Sequence, residues 1–427
     1  MWMTLLLGAV LGFLAVVILT FFTRGTPIKD ARLAGDGIAE LAAGQPLFRE
    51  TFSILTGASL CEGNRVEILT NGDGTYSRLW EDLAAARELI TWHVFWFKPG
   101  RLADRLAEIL IERRRAGVEV LFLYDYYGTW GVRSGYFDRL REGGIEVVAF
   151  RPPRWNTLYK IQQRMHVRAV VIDGRVGYTG GFAIADEWLG DGRHSGQWRD
   201  TSVRLQGAIV NQLQAVFASN WTEATGELIV GDKAFPLGDG EPPGDTRAGI
   251  LHAAPSLGST NAERFFMLTI HGARDQLYIT NAYFVPDQYF REALIDAVGR
   301  GVDVRVLTPG RNTDRISTFH AARAHYEELI EGGVRLYHYR PTMVHAKTLV
   351  ADGIWSTVGT MNFDNRSMVL NDEAAAVIED PDCAAELERR FLEDLEHADE
   401  VRLEEVRARG WIDRIRERVY VALSPVL

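Results

Sequence analysis

Residues 166–183, HVRAVVIDGRVGYTGGFA, return with the same spacing at 345–362 as HAKTLVADGIWSTVGTMN. In each copy a cation stands two places after a histidine, an aspartate follows five places later, and a turn leads into glycine. The surrounding stretches repeat in the same order. AARELITWHVFWF (85–97) resembles GARDQLYITNAYF (272–284), and RRAGVEVLFLYD (114–125) resembles GRGVDVRVLTPG (299–310). The chain therefore reads as an internal duplication of two units of about 170 residues, too long a period for a solenoid. Fused copies of one domain tend to pack about a pseudo-two-fold axis, with equivalent surfaces meeting.

Within the first unit VEILT, LITWHVFWF and VEVLFLYDYYG read as strands, and Tyr76–Arg87 and Leu102–Arg115 have helical spacing. The order β-α-β-α-β predicts α/β domains with a largely parallel sheet. GDKAFPLGDGEPPGDTRAG (231–249) reads as a linker between a first domain over 65–230 and a second over 250–400. Residues 401–427 carry Trp411, Ile415, Val419 and Leu423 at four-residue spacing, an amphipathic helix that either lies on a membrane or docks on the body.

The first 23 residues have no charged side chain before Arg24. As a helix they would rise about 34 Å, enough to cross a hydrocarbon core of about 30 Å. No positive charge precedes the apolar run, as a signal peptide would want, so it reads as an uncleaved single-pass anchor. Arg24, Lys29 and Arg32 follow it and place the body of the protein in the cytoplasm, with 24–64 as a juxtamembrane segment. The formal net charge of -10 argues against a nucleic-acid partner, which calls for a basic surface. Cys61 and Cys383 are the only cysteines, and HExxH is absent, so no metal or cofactor is expected from the motifs.

On a strand, His345 and Lys347 point to the same side. After Asp352 and its glycine, a returning strand brings Gly359, Thr360 and Asn362 back toward them. Imidazole, ammonium, hydroxyl and amide then converge as a cradle for a phosphodiester, with histidine as nucleophile or proton donor. The first copy offers His166, Arg168, Asp173, Gly180 and Gly181. Three fixed positions alone would match by chance in about 5% of chains this long, so the repetition carries the weight.

These residues resemble the phospholipase D superfamily, and within it the bacterial-type cardiolipin synthases. The likeness covers roughly 64–427 and includes GN at 63–64, LYDYYG at 123–128, GGFAIADEW at 180–188, NFDNRS at 362–367, NDE at 371–373 and the terminal LSPVL. It implies two α/β domains, each a mixed sheet flanked by helices, sharing one active site where the motifs meet. It also implies a phosphatidyltransferase. His166 attacks phosphorus to form a phosphatidyl-histidine, and His345 serves as general acid and base, although a symmetric site could reverse them. Glu373 stands where the family has an acid that orients a histidine, and Asp200, in QWRD, is its counterpart in the first half. Phosphatidylglycerol is the implied donor and acceptor, and the cell membrane the implied location.

Two positions depart from that pattern: Arg168 replaces lysine, and Ala183 replaces asparagine. Either Arg168 supplies the missing donor with its extra N–H groups, or the first half has decayed. A hydrolase, a nuclease and a non-catalytic lipid-binding protein are the rival functions. Among other residues, His93 reads as a packed strand histidine, His320 and His325 as a solvated helix face, and Tyr126 and Tyr127 as possible pocket lining.

Overall fold

The computed structural model describes residues 8, 12, 27–32, 34, 39–132, 134–155, 160–238, 240–256 and 259–423. The anchor expected over 1–23 lies outside them but for Gly8 and Gly12. Among the described residues no helix is long and apolar enough to cross a membrane.

The first half contributes β1 (Cys61–Thr70), β2 (Leu89–Val94), β3 (Glu119–Asp125), β4 (Glu146–Phe150), β5 (Arg164–Met165), β6 (Ala169–Ile172), β7 (Val176–Gly180) and β8 (Thr201–Gln206). The second contributes β9 (Thr246–Ala253), β10 (Gln276–Asn281), β11 (Asp303–Thr308), β12 (Arg335–Tyr339), β13 (Lys347–Ala351), β14 (Trp355–Gly359), β15 (Asn371–Glu379) and β16 (Ala398–Glu400). From one edge inward the order is β4-β3-β2-β6-β7-β8-β1. From the other edge, past β16, it is β12-β11-β10-β13-β14-β15-β9. The two orders correspond strand for strand, and β1 meets β9 antiparallel at the centre.

Strands β2, β3 and β4 run parallel, as do β10, β11 and β12. Along the main strand order the other pairs are antiparallel, so the sheet is mixed rather than largely parallel. The motifs themselves cause this. Each feeds a tight hairpin, β6–β7 or β13–β14, turning at Asp173-Gly174 and Asp352-Gly353, all four with φ between 52 and 63°. Aspartate and glycine tolerate that left-handed region better than other residues.

The helix Arg101–Arg115 covers the sheet with Leu102, Leu106, Ile109 and Leu110, spaced as its sequence pattern requires. The halves also share a core, in which Val171, Val203 and Leu205 cluster with Val350, Val358 and Ile378. Composition assigned 246–249 to the linker. They instead open β9, where Arg247 registers against Glu379 and pairs with it.

The helix Trp411–Leu423 docks on the body, but through its polar side. Tyr420 stacks on His320 at 5.5 Å, and the buried Glu417 pairs with Arg409 at 2.8 Å. Its apolar stripe faces outward, with Trp411 72%, Ile415 52% and Val419 55% exposed. His320 is therefore buried under this helix rather than on a solvated face. His93 is the packed histidine its strand position suggested: it lies against Phe217, and burial pushes its pKa down to about 3.

Candidate active site

Each histidine motif is bonded to the other half before it begins. The short strand β5 pairs parallel with the start of β15, and the His166 N–H donates to the Asp372 carbonyl at 2.9 Å. In the other half Arg199 bridges Val344, and the His345 N–H donates to the Arg199 carbonyl at 2.7 Å. The residue after each of these acceptors is an acid. Glu373 thus faces His166, with its two oxygens 2.8 and 2.9 Å from Nδ1, and Asp200 faces His345, 3.1 Å from Nδ1. The sequence marked both acids. The structure adds that they cross over, each orienting the histidine of the opposite half.

The cations lie on the other ring nitrogens. Arg168 Nη1 is 2.8 Å from His166 Nε2, and Lys347 Nζ is 3.0 Å from His345 Nε2. Each cation also donates to the carbonyl of its own histidine. Phe95 packs edge-on against His166 and lies under the Arg168 guanidinium. Trp188 and Trp198 flank His345.

Small residues after the hairpins let the neighbouring segments approach closely. A side chain on Gly181 would meet Asp200 Oδ1 at 2.1 Å, and one on Gly359 would meet Ala375 at 2.4 Å. Gly180, at φ 144°, lies against Ser202. Thr360 donates its hydroxyl to Glu373, and Asn371 adds a bond at 3.2 Å. On the other side Trp188 Nε1 holds Asp200 at 2.7 Å. Trp188 and Asn371 are positioning residues that the sequence reading did not single out, although both lie within the stretches GGFAIADEW and NDE.

Asp173 and Asp352 do not join this group, which corrects the expectation that they are catalytic. They lie at the far ends of the motif strands, roughly 20 Å of extended chain from their histidines. Asp173 accepts from the backbone N–H groups of Arg87, Glu88 and Leu89. Asp352 accepts from those of Arg274, Asp275 and Gln276. Both fasten the hairpin turn to the start of a neighbouring strand.

Burial dominates the electrostatics. It lowers His166 well below its usual range, helped by Arg168, and lowers His345 to about 4, helped by Lys347. It also brings Lys347 down to about 7. Asp200 is held low, because its bond to His345 and the nearby Lys347 outweigh burial. Glu373 feels opposing influences: burial pushes it up to about 8, while Thr360 and Asn371 favour its ionised form. Arg168 has donors only, so His166 Nε2 beside it is the acceptor and the ring proton lies on Nδ1, facing Glu373.

A cavity of about 450 Å³ opens onto His166. Asn362 and Asn371 line it, each with a buried Oδ1 that has no partner among the described residues. Tyr127 borders it and Tyr126 does not. Ala183, the counterpart of Asn362, is instead packed in the apolar core of the first half, and its carbonyl accepts from Tyr76. Arg164, Arg315 and Arg366 also line the cavity and were not singled out in the sequence, although Arg366 lies within NFDNRS.

A family model described as cardiolipin synthase, PLD-like domain, matches residues 267–395. A cardiolipin synthase of Geobacillus kaustophilus is 35% identical over 367 residues, which is 85% of this chain and 72% of the relative. Cardiolipin synthase A of Pseudomonas putida is 33% identical, covering 85% of this chain and 75% of its own length. The crystal structure of a Haemophilus influenzae phosphatidylserine synthase superposes over 89% of this chain and 99% of its own with a TM-score of 0.69. At 12% identity that likeness speaks for the fold. With the duplicated motifs, the crossed pairs and relatives at this identity over most of both lengths, the chain belongs to the bacterial cardiolipin synthase family of the phospholipase D superfamily.

Proposed function

We propose that the chain makes cardiolipin from two phosphatidylglycerol molecules, with His166 as nucleophile and His345 as general acid and base. The observation that carries this assignment is the different cation on each Nε2. Arg168 cannot give up its proton, so it keeps His166 Nε2 unprotonated, with the lone pair that the attack on phosphorus needs. Lys347, at about 7, can share a proton with His345 Nε2.

His166 Nε2 attacks the donor phosphorus, forming a P–N bond as the P–O bond to glycerol breaks. The proton shared by Lys347 and His345 passes to the glycerol oxygen. The free hydroxyl of a second phosphatidylglycerol then returns a proton to His345 as its oxygen attacks phosphorus. The P–N bond breaks, and cardiolipin and glycerol are the products. Arg168, Lys347 and the Asn362 amide neutralise the phosphoryl oxygens. Ala183 offers no such amide, and the several N–H groups of Arg168 take its place. Glu373 and Asp200 hold the ring tautomers, Thr360 holds Glu373, Gly181 leaves room for Asp200, and Gly180 and Gly359 let the neighbouring strands approach.

Residues 1–23 anchor the chain in the cell membrane as a single span, with the catalytic body on the cytoplasmic side. The outward stripe of Trp411, Ile415 and Val419 gives the body a further contact with the bilayer surface.

The test is a product assay on the purified full-length chain in detergent, supplied with phosphatidylglycerol. Cardiolipin and glycerol should form in equal amounts with the wild type and not with His345→Ala. Quenched turnover of the wild type should leave a phosphatidyl group on His166, absent from His166→Ala. Phosphatidic acid in place of cardiolipin would assign a hydrolase instead.

A further inference from the structure

The cavity beside His166 holds more positive charge than one phosphodiester calls for. Arg168 and Lys347 already stand at the two reactive nitrogens. Arg164, Arg366 and Arg315 add a second group, passing from a buried residue through a half-buried one to an exposed one. Elsewhere in the chain buried and half-buried arginines meet carboxylates: Arg199 has Asp394 at 2.8 Å, Arg151 has Asp372 at 2.9 Å, and Arg204 has Asp82 at 2.6 Å.

The cavity arginines are different. Arg366 spends its N–H groups on the carbonyl and side chain of Gln162. Among the described residues neither it nor Arg315 is ion-paired with a carboxylate, and Asp364 and Asp125 act on Arg366 only from further away. Arg164 keeps Nε and Nη1 buried without a hydrogen-bond partner. Its nearest carboxylate, Asp125, stands 3.7 Å away and already accepts from the N–H groups of Tyr127, Gly128 and Met165. Among the described residues Asp364 is the one carboxylate on the lining, and it accepts from the Ser367 N–H. With so little counter-charge, burial and the neighbouring Arg315 bring Arg366 down to about 10.

Such a group calls for an anion that the protein does not supply. The donor's only phosphodiester is the one under attack at His166, and its head group is an uncharged glycerol. The acceptor brings the second phosphate. We propose that Arg164, Arg366 and Arg315 form a binding site for the phosphodiester of the accepting phospholipid, one glycerol away from the phosphatidyl group on His166. This rests on the transferase reading above and extends it to acceptor choice. Water and free glycerol gain nothing from these arginines, whereas an anionic lipid alcohol does, so the cluster favours transfer to lipid over hydrolysis and head-group exchange.

The test compares two fates of one intermediate. The full-length enzyme is given phosphatidylglycerol and labelled free glycerol, and cardiolipin is measured against glycerol exchanged into phosphatidylglycerol. Arg366→Gln and Arg315→Gln should each lower the ratio of cardiolipin to exchange by about tenfold or more, the scale of a lost charge-assisted hydrogen bond. Arg366→Lys and Arg315→Lys should recover part of it. Arg315 is exposed, so its variants report even where a change at Arg366 or Arg164 disturbs folding. An unchanged ratio, or cardiolipin and exchange falling together, would overturn the proposal. A wild type that exchanges glycerol yet forms no cardiolipin would instead overturn the transferase reading itself.

Discussion

The His345 N–H donates to the Arg199 carbonyl at 2.7 Å, a bond that joins the motif of one half to the acid-bearing segment of the other. Its symmetry mate joins His166 to Asp372. Neither half therefore holds a complete histidine–acid pair of its own. Asp200→Asn and Glu373→Gln keep the shape of each acid but present an amide to Nδ1, which no longer enforces the tautomer. Each should lower kcat by about 10³- to 10⁴-fold, as when the orienting acid of a histidine is made an amide elsewhere, with folding kept. Steady-state rates beside a thermal melt test this. A loss below tenfold would mean the acids do not set the tautomers.

Lys347 and Arg168 should part company as the pH rises. Burial lowers Lys347 to about 7, so above that pH the free enzyme loses a charge that would meet the phosphate. Arg168 keeps its charge throughout. The pH profile of kcat/KM should therefore fall on its alkaline side in the wild type. Lys347→Arg should flatten that limb, and at neutral pH it should be slower, since an arginine cannot pass a proton to His345. An alkaline limb that survives in Lys347→Arg would assign it to another group.

The duplication and both motifs were legible because repeated spacing survives in a single sequence. Glu373 and Asp200 were marked by the family resemblance, and the linker read over 231–249 gives up 246–249 to β9. The crossing of the pairs did not, because it depends on β5 pairing with β15, a contact between residues more than 200 positions apart. Asp173 and Asp352 misled for a related reason. They recur with the histidines in the linear pattern, yet a strand carries them away from the site, and backbone N–H groups claim their oxygens. The C-terminal stripe was read correctly as amphipathic, but which side docks was decided by a buried Glu417 that periodicity marks only as polar.

Gly181 is a test of how tightly the site is built. A methyl group there would stand 2.1 Å from Asp200 Oδ1, far inside contact distance, and Asp200 is held from its other side by Trp188. The carboxylate must therefore shift away from His345. Gly181→Ala should cost about 1–3 kcal/mol of stability, typical of overpacking, and lower kcat toward the level of Asp200→Asn. Combining the two changes should lower kcat little further than either alone. Multiplying losses in the double variant would show that Gly181 acts through something other than Asp200.

Glu373 should leave a mark on stability as well as rate. Its pKa is raised from 4.5 to about 8, chiefly by burial. Below the lower value both folded and unfolded chains carry the proton, and between the two values only the folded chain does. Stability from this group is thus full at low pH and lost as pH rises toward 8. Glu373→Gln is neutral at every pH and lacks that slope. Urea midpoints at pH 5 and pH 8 should fall further for the wild type than for the variant. Equal falls would mean the carboxylate is ionised across the range.

Arg199 ties these observations to the integrity of the fold. Its guanidinium meets Asp394 through Nε at 2.9 Å and Nη2 at 2.8 Å, and Nη1 donates to Thr201 Oγ1 at 2.8 Å. Both charged side chains are buried, at 5 and 6% exposure, so solvent screens the pair little. Asp394→Ala would strand a buried cation at the junction of the halves, at a cost of about 3–5 kcal/mol. The carbonyl that receives the His345 N–H belongs to this arginine, so the damage should reach the site too. The expected result is a much lower urea midpoint together with reduced kcat. Asp394→Asn, which keeps one acceptor oxygen for the guanidinium, should be milder in both. A normal midpoint for Asp394→Ala would show that the halves are held by their shared apolar core alone.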